Sequence, residues 1–137
     1  MSETDVTPEQ VAGMTDAQLV DVREDQEWDA GRIGGARHVV LGEVAAQAPT
    51  IDQERPVVFY CRVGSRSAMA ADAFRRGGYD AYSMAGGLEA WASEGRPRVL
   101  RLKAPAGARR VELTVRATDA AGNPRTVRRA IRLRPTS

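Results

Sequence analysis

A single cysteine, Cys61, and a single histidine, His38, serve a chain of 137 residues, and that scarcity removes several chemistries at once. One cysteine cannot build an intramolecular disulfide framework, and one cysteine with one histidine cannot supply the four ligands of a structural zinc site. Aromatic residues make up only 5% of the chain and are not interleaved with its basic residues, so nucleic acid is not the expected partner. Apolar runs of membrane-spanning length are missing too, and no membrane partner is expected. The opening stretch MSETDVTPEQ is polar and acidic, unlike a secretory signal or an Arg-rich transit peptide, which makes the cytoplasm the expected compartment. No metal and no cofactor are expected. Any chemistry falls to a free thiol.

What is present fits one soluble domain with room for a small appendage: 42% of residues are hydrophobic and 28% charged. The net charge of +2 conceals a division. Residues 1–95 carry 8 arginines against 16 acidic residues, a net of −8, whereas residues 96–137 carry 12 basic residues against 2 acidic ones, a net of +10. Charge and the punctuation Gly95-Arg96-Pro97 together place a boundary there. The expected organisation is a domain over residues 1–97 and a basic, β-rich extension over 98–137.

Within the first part, Thr7, Pro8 and Gln10 have the spacing of an N-cap, a first helical position and a completed capping box. AQLVDV (17–22) reads as a buried strand delivering its end to a charged loop, REDQEW, with Gly31, Gly34 and Gly35 marking a turn. ARHVVL reads as another strand, GEVAAQA as a short helix closed by Pro49, and PVVFYC as the most apolar strand of the chain. From Ser65 a helix is expected, with Ala68, Met69, Ala71, Ala73 and Phe74 as its apolar residues and Gly77-Gly78 as its stop. YDAYSM gives a further strand and GLEAWASEG a final helix. Strands alternating with helices predict an α/β fold, a parallel sheet flanked by helices on both faces, with its ligand site beyond the carboxyl ends of the strands.

Cys61 falls at such an end, in the stretch CRVGSRS. A loop running from a strand into a helix can turn successive backbone N–H groups toward one point and form an anion nest. Gly64 permits the curl, Arg62 and Arg66 add charge, and the surroundings are expected to lower the pKa of the thiol. A thiolate is already the nucleophile and needs no separate base. A lone cysteine in an apolar strand is ordinarily a small core residue. A glycine three residues on and arginines one and five residues on form a constellation that core packing does not need.

Three segments, LVDVREDQEWDAGRIGGARHV, VVFYCRVGSRSAMAADAF and GYDAYSMAGGLEAWASEGRP, resemble the single-domain rhodaneses in their order as well as their residues, from about residue 7 to residue 97. The resemblance implies a sulfurtransferase in which Cys61 carries sulfane sulfur as a persulfide. It further implies that Arg62, Val63, Gly64, Ser65 and Arg66 cradle that persulfide, with Asp21, Arg23 and Ser67 in support. The sulfur donor would be thiosulfate or a persulfide, and with no second cysteine the acceptor must be an external thiol, cyanide or a protein. The chain departs from the family where GHIPGA is usual: Arg32 stands for histidine and Gly34 for proline in GRIGGA, which bears on loop rigidity rather than on chemistry.

Two other readings compete. Cysteine-dependent phosphatases use a C-x5-R loop, one residue longer than the spacing from Cys61 to Arg66. A non-catalytic rhodanese-like module would use the nest only as an anchor. Trp28, Trp91 and His38 read as packing or surface residues, and the glycines of AGGLEAW as pocket-mouth or close-packing positions. In the extension, Val111, Leu113, Val115 and Ala117, then the turn-like DAAGNP, then Val127 and Ile131, predict a hairpin. About 40 residues cannot supply the seven strands of an immunoglobulin-like sandwich, and an isolated hairpin is marginal, so these strands are expected to dock on the body or pair with another chain. Composition leaves the oligomeric state open.

Overall fold

The structure, a computed structural model, describes residues 3–100, 107, 109–118 and 122–132. Residues 3–100 contain strands β1 (Asp5–Val6), β2 (Gln18–Asp21), β3 (Gly31–Arg32), β4 (Arg37–His38), β5 (Val57–Tyr60), β6 (Ala81–Met84) and β7 (Val99–Leu100). Their helices are α1 (Pro8–Gly13), α2 (Asp25–Ala30), α3 (Ser65–Arg76) and α4 (Gly87–Ser93). Five strands form one parallel sheet in the order β1-β6-β5-β2-β4. No helix among the described residues is long and apolar enough to cross a membrane.

The apolar run at 57–60 becomes the central strand because both faces of the sheet are covered, and all four of its residues are fully buried. Val57, Phe59 and Cys61 join a core with Ala70, Ala71 and Phe74 of α3. Val58 and Tyr60, on the opposite face, pack with Val11 of α1 and with Leu88 and Trp91 of α4. Strand alternation therefore puts Cys61 on the α3 side and Tyr60 on the other. The capping box at Thr7 and Gln10 forms as expected, with Gln10 N–H donating to Thr7 Oγ1 at 3.1 Å and Thr7 N–H to Gln10 Oε1 at 2.8 Å.

Four expectations change. REDQEW is not simply a loop, because Asp25–Ala30 forms α2, whose first turn is closed by Glu24 N–H donating to Glu27 Oε1 at 3.1 Å. The strand expected over ARHVVL shrinks to Arg37–His38, and GEVAAQA forms no α-helix. Instead the chain makes two single-turn 3-10 helices, Leu41–Glu43 and Ala48–Thr50, with Pro49 inside the second. So short a segment cannot repay helix nucleation by itself, and burial of Val44 and Ile51 anchors the chain without regular hydrogen bonding. In α3 the buried stripe is Ser67, Ala70, Ala71 and Phe74, while Met69 is 65% exposed and Ala73 also faces solvent. The stripe begins at Ser67 because that residue faces the thiol, and helical spacing then selects 70, 71 and 74.

Beyond the expected boundary at 97, Val99 and Leu100 pair antiparallel with Arg32 and Gly31. Further on, β8 (Arg110–Thr118) and β9 (Pro124–Arg132) form the antiparallel hairpin, with Val111 opposite Ile131 and Val115 opposite Val127. Residues 119–121, part of the expected turn DAAGNP, lie outside the described residues.

Candidate active site

Cys61 immediately follows β5, and the chain then curls through 62–64 into the N-terminus of α3. Gly64 makes the curl possible: its φ of +107° lies in a region that side chains disfavour, and it occupies the N-cap of α3. Gly64 N–H donates to Cys61 Sγ at 3.1 Å and Ser67 N–H at 3.5 Å. Cys61 Sγ lies 3.6 Å from Ser67 Oγ, which is also within 3.1 Å of Gly64 O and 2.7 Å of Ser83 Oγ of β6, so its one proton can turn to the sulfur when the thiol ionises. Burial alone pushes the Cys61 thiol toward its neutral form. Hydrogen bonding from the Ser67 hydroxyl and from the backbone N–H groups of Ser67, Gly64 and Val63 outweighs that, so its pKa lies below the ordinary thiol value.

If the loop's N–H groups face the sulfur, its carbonyls must face elsewhere and find donors. The N-terminus of α4 supplies them. Leu88 N–H donates to Cys61 O at 2.8 Å, and Glu89 N–H donates to Arg62 O at 3.0 Å. This approach requires glycine at 87, where a Cβ would stand 2.5 Å from Arg62 C, Arg62 O and Cys61 O, and where φ is +59°. Of the two sequence readings of the AGGLEAW glycines, close backbone packing is the one realised at Gly87.

The two loop arginines diverge. Arg62 is 63% exposed and its Nε lies 3.4 Å from Glu89 Oε1 at the surface. Arg66 is partly buried and forms a bidentate pair with Glu27 of α2, Nη1 to Oε1 at 2.7 Å and Nη2 to Oε2 at 3.0 Å. Those bonds, opposed by burial and aided by Glu24 N–H, hold the Glu27 carboxyl down at about 2. Val63 stands 47% exposed at the rim and Ser65 is exposed at the first position of α3. Sequence reasoning did not find Glu27 or Ser83. Glu27 lay in a segment read as loop, and Ser83 in a strand read only for its apolar residues; nothing in their spacing ties either to Cys61.

Asp21 and Arg23 form a buried unit at the end of β2, the strand beside β5. Arg23 Nη2 donates to Asp21 Oδ2 at 2.7 Å and to Gly31 O at 2.6 Å, while Arg23 N–H donates to Asp21 Oδ1 at 2.9 Å. This unit meets the loop through Tyr60, the residue before Cys61. Val22 N–H donates to Tyr60 O at 3.0 Å, and Ile33 N–H donates to Tyr60 Oη at 3.1 Å. Support for the loop is thus indirect, through the strand pair that delivers it. His38 Nε2 lies 2.7 Å from Arg23 O, and its ring stacks on Trp28 at 4.8 Å between centroids and 8° between planes. Trp91 is buried and donates Nε1–H to Pro97 O at 2.9 Å. All three serve packing.

Residues 7–94 match the model of the rhodanese-like domain. The chain is 39% identical over 91 residues to the thiosulfate sulfurtransferase GlpE of Pseudomonas aeruginosa strain PAO1, covering 64% of this chain and 83% of that protein. It is 38% identical over 81 residues to the Bacillus subtilis protein YqhL, covering 58% of this chain and spanning 64% of that protein's length. A crystal structure of a rhodanese-like domain protein from Staphylococcus aureus superposes with a TM-score of 0.63 at 26% identity, covering 74% of this chain and 99% of that one. With its parallel sheet flanked by helices and a family match running from the cap of α1 to the end of α4, the chain belongs to the rhodanese-like family.

Proposed function

We propose that this protein is a sulfurtransferase that carries sulfane sulfur as a persulfide on Cys61. The observation that carries the reading is a buried thiol held below its ordinary pKa by N–H groups of the loop that follows it. In the first step the Cys61 thiolate attacks the outer sulfur of a donor, the bond from that sulfur to its carrier breaks, and the carrier leaves with the electron pair. With thiosulfate the leaving group is sulfite. In the second step a nucleophilic acceptor removes the outer sulfur and regenerates the thiolate, which predicts ping-pong kinetics. The N–H groups that now point at the sulfur would stabilise the persulfide anion.

Cys61 is the sole cysteine, so discharge falls to an external thiol, cyanide or a partner protein. A working group that must stay reduced suits the cytoplasm. We take residues 1–97 as the sulfur-transfer unit and 98–137 as a basic extension joined to it.

The test is intact-protein mass after incubation with donor, followed by cyanide. A gain of one sulfur atom in the natural chain, its absence in Cys61→Ser, and release as thiocyanate are expected. No gain under excess of either thiosulfate or a thiol persulfide would overturn the reading.

A further inference from the structure

Resting on that reading, we infer that the site is built for an organic persulfide donor of low charge, and that Glu27 is the specificity-determining residue that disfavours dianionic thiosulfate. Three arginines stand near the carboxyl end of the sheet, and each already has a carboxylate: Arg23 has Asp21, Arg62 has Glu89 and Arg66 has Glu27. Arg66 is the decisive one, because it is carried by the loop that curls around the Cys61 sulfur, directly before Ser67, whose N–H donates to that sulfur at 3.5 Å. Glu27 engages its guanidinium at two points and is itself held from behind, since Oε1 also accepts from Glu24 N–H at 3.1 Å. The carboxylate is therefore held by the backbone of the first turn of α2 as well as by Arg66.

The Cys61 loop consequently offers backbone dipoles to the sulfur, while the guanidinium of Arg66 is already paired with Glu27. Dipoles suffice for one sulfur anion. A dianion approaching a thiolate next to a fixed carboxylate meets repulsion that a neutral or singly charged donor largely escapes. Exposed apolar side chains on the same loop and helix suit an organic carrier better than an inorganic dianion: Val63 in the loop is 47% exposed, and Met69, one helical turn beyond Arg66, is 65% exposed. In the step proposed, Cys61 thiolate attacks the outer sulfur of R–S–SH, the new S–S bond forms, and the donor's own S–S bond, between its inner and outer sulfurs, breaks. The pair departs on R–S⁻, and the proton carried by the transferred sulfur is lost to water. No oxidant is consumed.

The test compares kcat/KM for cysteine persulfide and thiosulfate in the natural chain and in Glu27→Gln, which keeps an acceptor for Glu24 N–H and removes the charge. Alongside, Cys61 is alkylated with iodoacetate and with iodoacetamide, which report the local field without turnover. The natural chain should favour the persulfide by about 10²-fold, and Glu27→Gln should lower the KM for thiosulfate by about 10-fold, with the iodoacetate-to-iodoacetamide rate ratio rising in parallel. A thiosulfate KM and an alkylation ratio that both stay put in a folded variant would overturn the inference. Should the variant fail to fold, a natural chain that prefers thiosulfate overturns it equally. A natural chain that takes sulfur from neither donor removes the sulfurtransferase reading and this inference with it, whereas transfer from both with an unmoved donor ratio removes this inference alone.

Discussion

Two neighbouring parallel strands end in buried polar groups, and they use the same position in the sheet in opposite ways. At the end of β2, Asp21 is fully buried but wholly satisfied, because Arg23 two residues on closes a charged ring with it and then fastens to Gly31 O. At the end of β5, Cys61 is equally buried, yet its sulfur meets N–H groups and a hydroxyl rather than a counter-charge. A neutralised charge is inert and holds two strands in place. A thiol lowered in pKa by hydrogen-bond donors keeps its electron pair available, as the proposed chemistry requires. Burial therefore does not separate a structural group from a candidate chemical one here; the kind of partner does.

The comparison can be broken from either side. The largest effect is expected from Asp21→Asn, which leaves Arg23 as an uncompensated buried cation; it should cost about 3–5 kcal/mol, read from denaturant unfolding. If it costs under ~1 kcal/mol, the β2 end is not the structural anchor described above. Arg66→Ala should follow, with thiosulfate turnover down by about 10²-fold, since it strips the cation and leaves Glu27 alone beside the sulfur. Gly87→Ala forces a Cβ to within 2.5 Å of the loop carbonyls. It should destabilise the fold by about 1–3 kcal/mol and push the Cys61 pKa up as the nest opens. The midpoint of the alkylation rate against pH measures that rise, and a destabilised variant with an unmoved midpoint would confine Gly87 to packing.

Ser67→Ala removes one of the donors that lower the thiol, so its alkylation midpoint should also move up, with a loss of stability smaller than for Gly87→Ala. The smallest effect concerns acid. In the folded chain the Arg66 guanidinium holds the Glu27 carboxyl down at about 2, below its ordinary 4.5. A carboxyl lowered by folding adds stability that is fully present above its unfolded pKa and is lost as the pH falls through its folded one. Its contribution should therefore fade between about pH 4.5 and pH 2. Glu27→Gln should flatten the dependence of Tm on pH in that window alone, and an unchanged slope would show the pair to be too solvated to matter.

Much of the fold was legible because its signals are local. The Thr7–Gln10 capping box, the apolar run at 57–60 and the glycines after Arg76 each act within a few residues, and each produced the element expected of it. The loop at Cys61 was legible for the same reason, since strand, cysteine, glycine and helix are contiguous. GEVAAQA misled because it anchors to the core at Val44, with Ile51 just beyond it, without completing helical turns. Met69 misled because apolar residues on a helix do not announce which of two faces the sheet will cover. Glu27 was hidden because its value lies in a partner 39 residues away.

The sequence by itself determined the alternation of strands and helices, the lone thiol at a strand exit and the glycine that lets the following loop curl. Periodicity, capping and φ preference are short-range properties that a single stretch of chain can express. Only the tertiary structure decided that α4 would take up the loop's carbonyls through Leu88 and Glu89, that Arg66 would be held by Glu27 rather than left free, and that Ser83 would back Ser67. Those are pairings between segments distant in the chain, and they exist only once the packed sheet has brought its strand ends together.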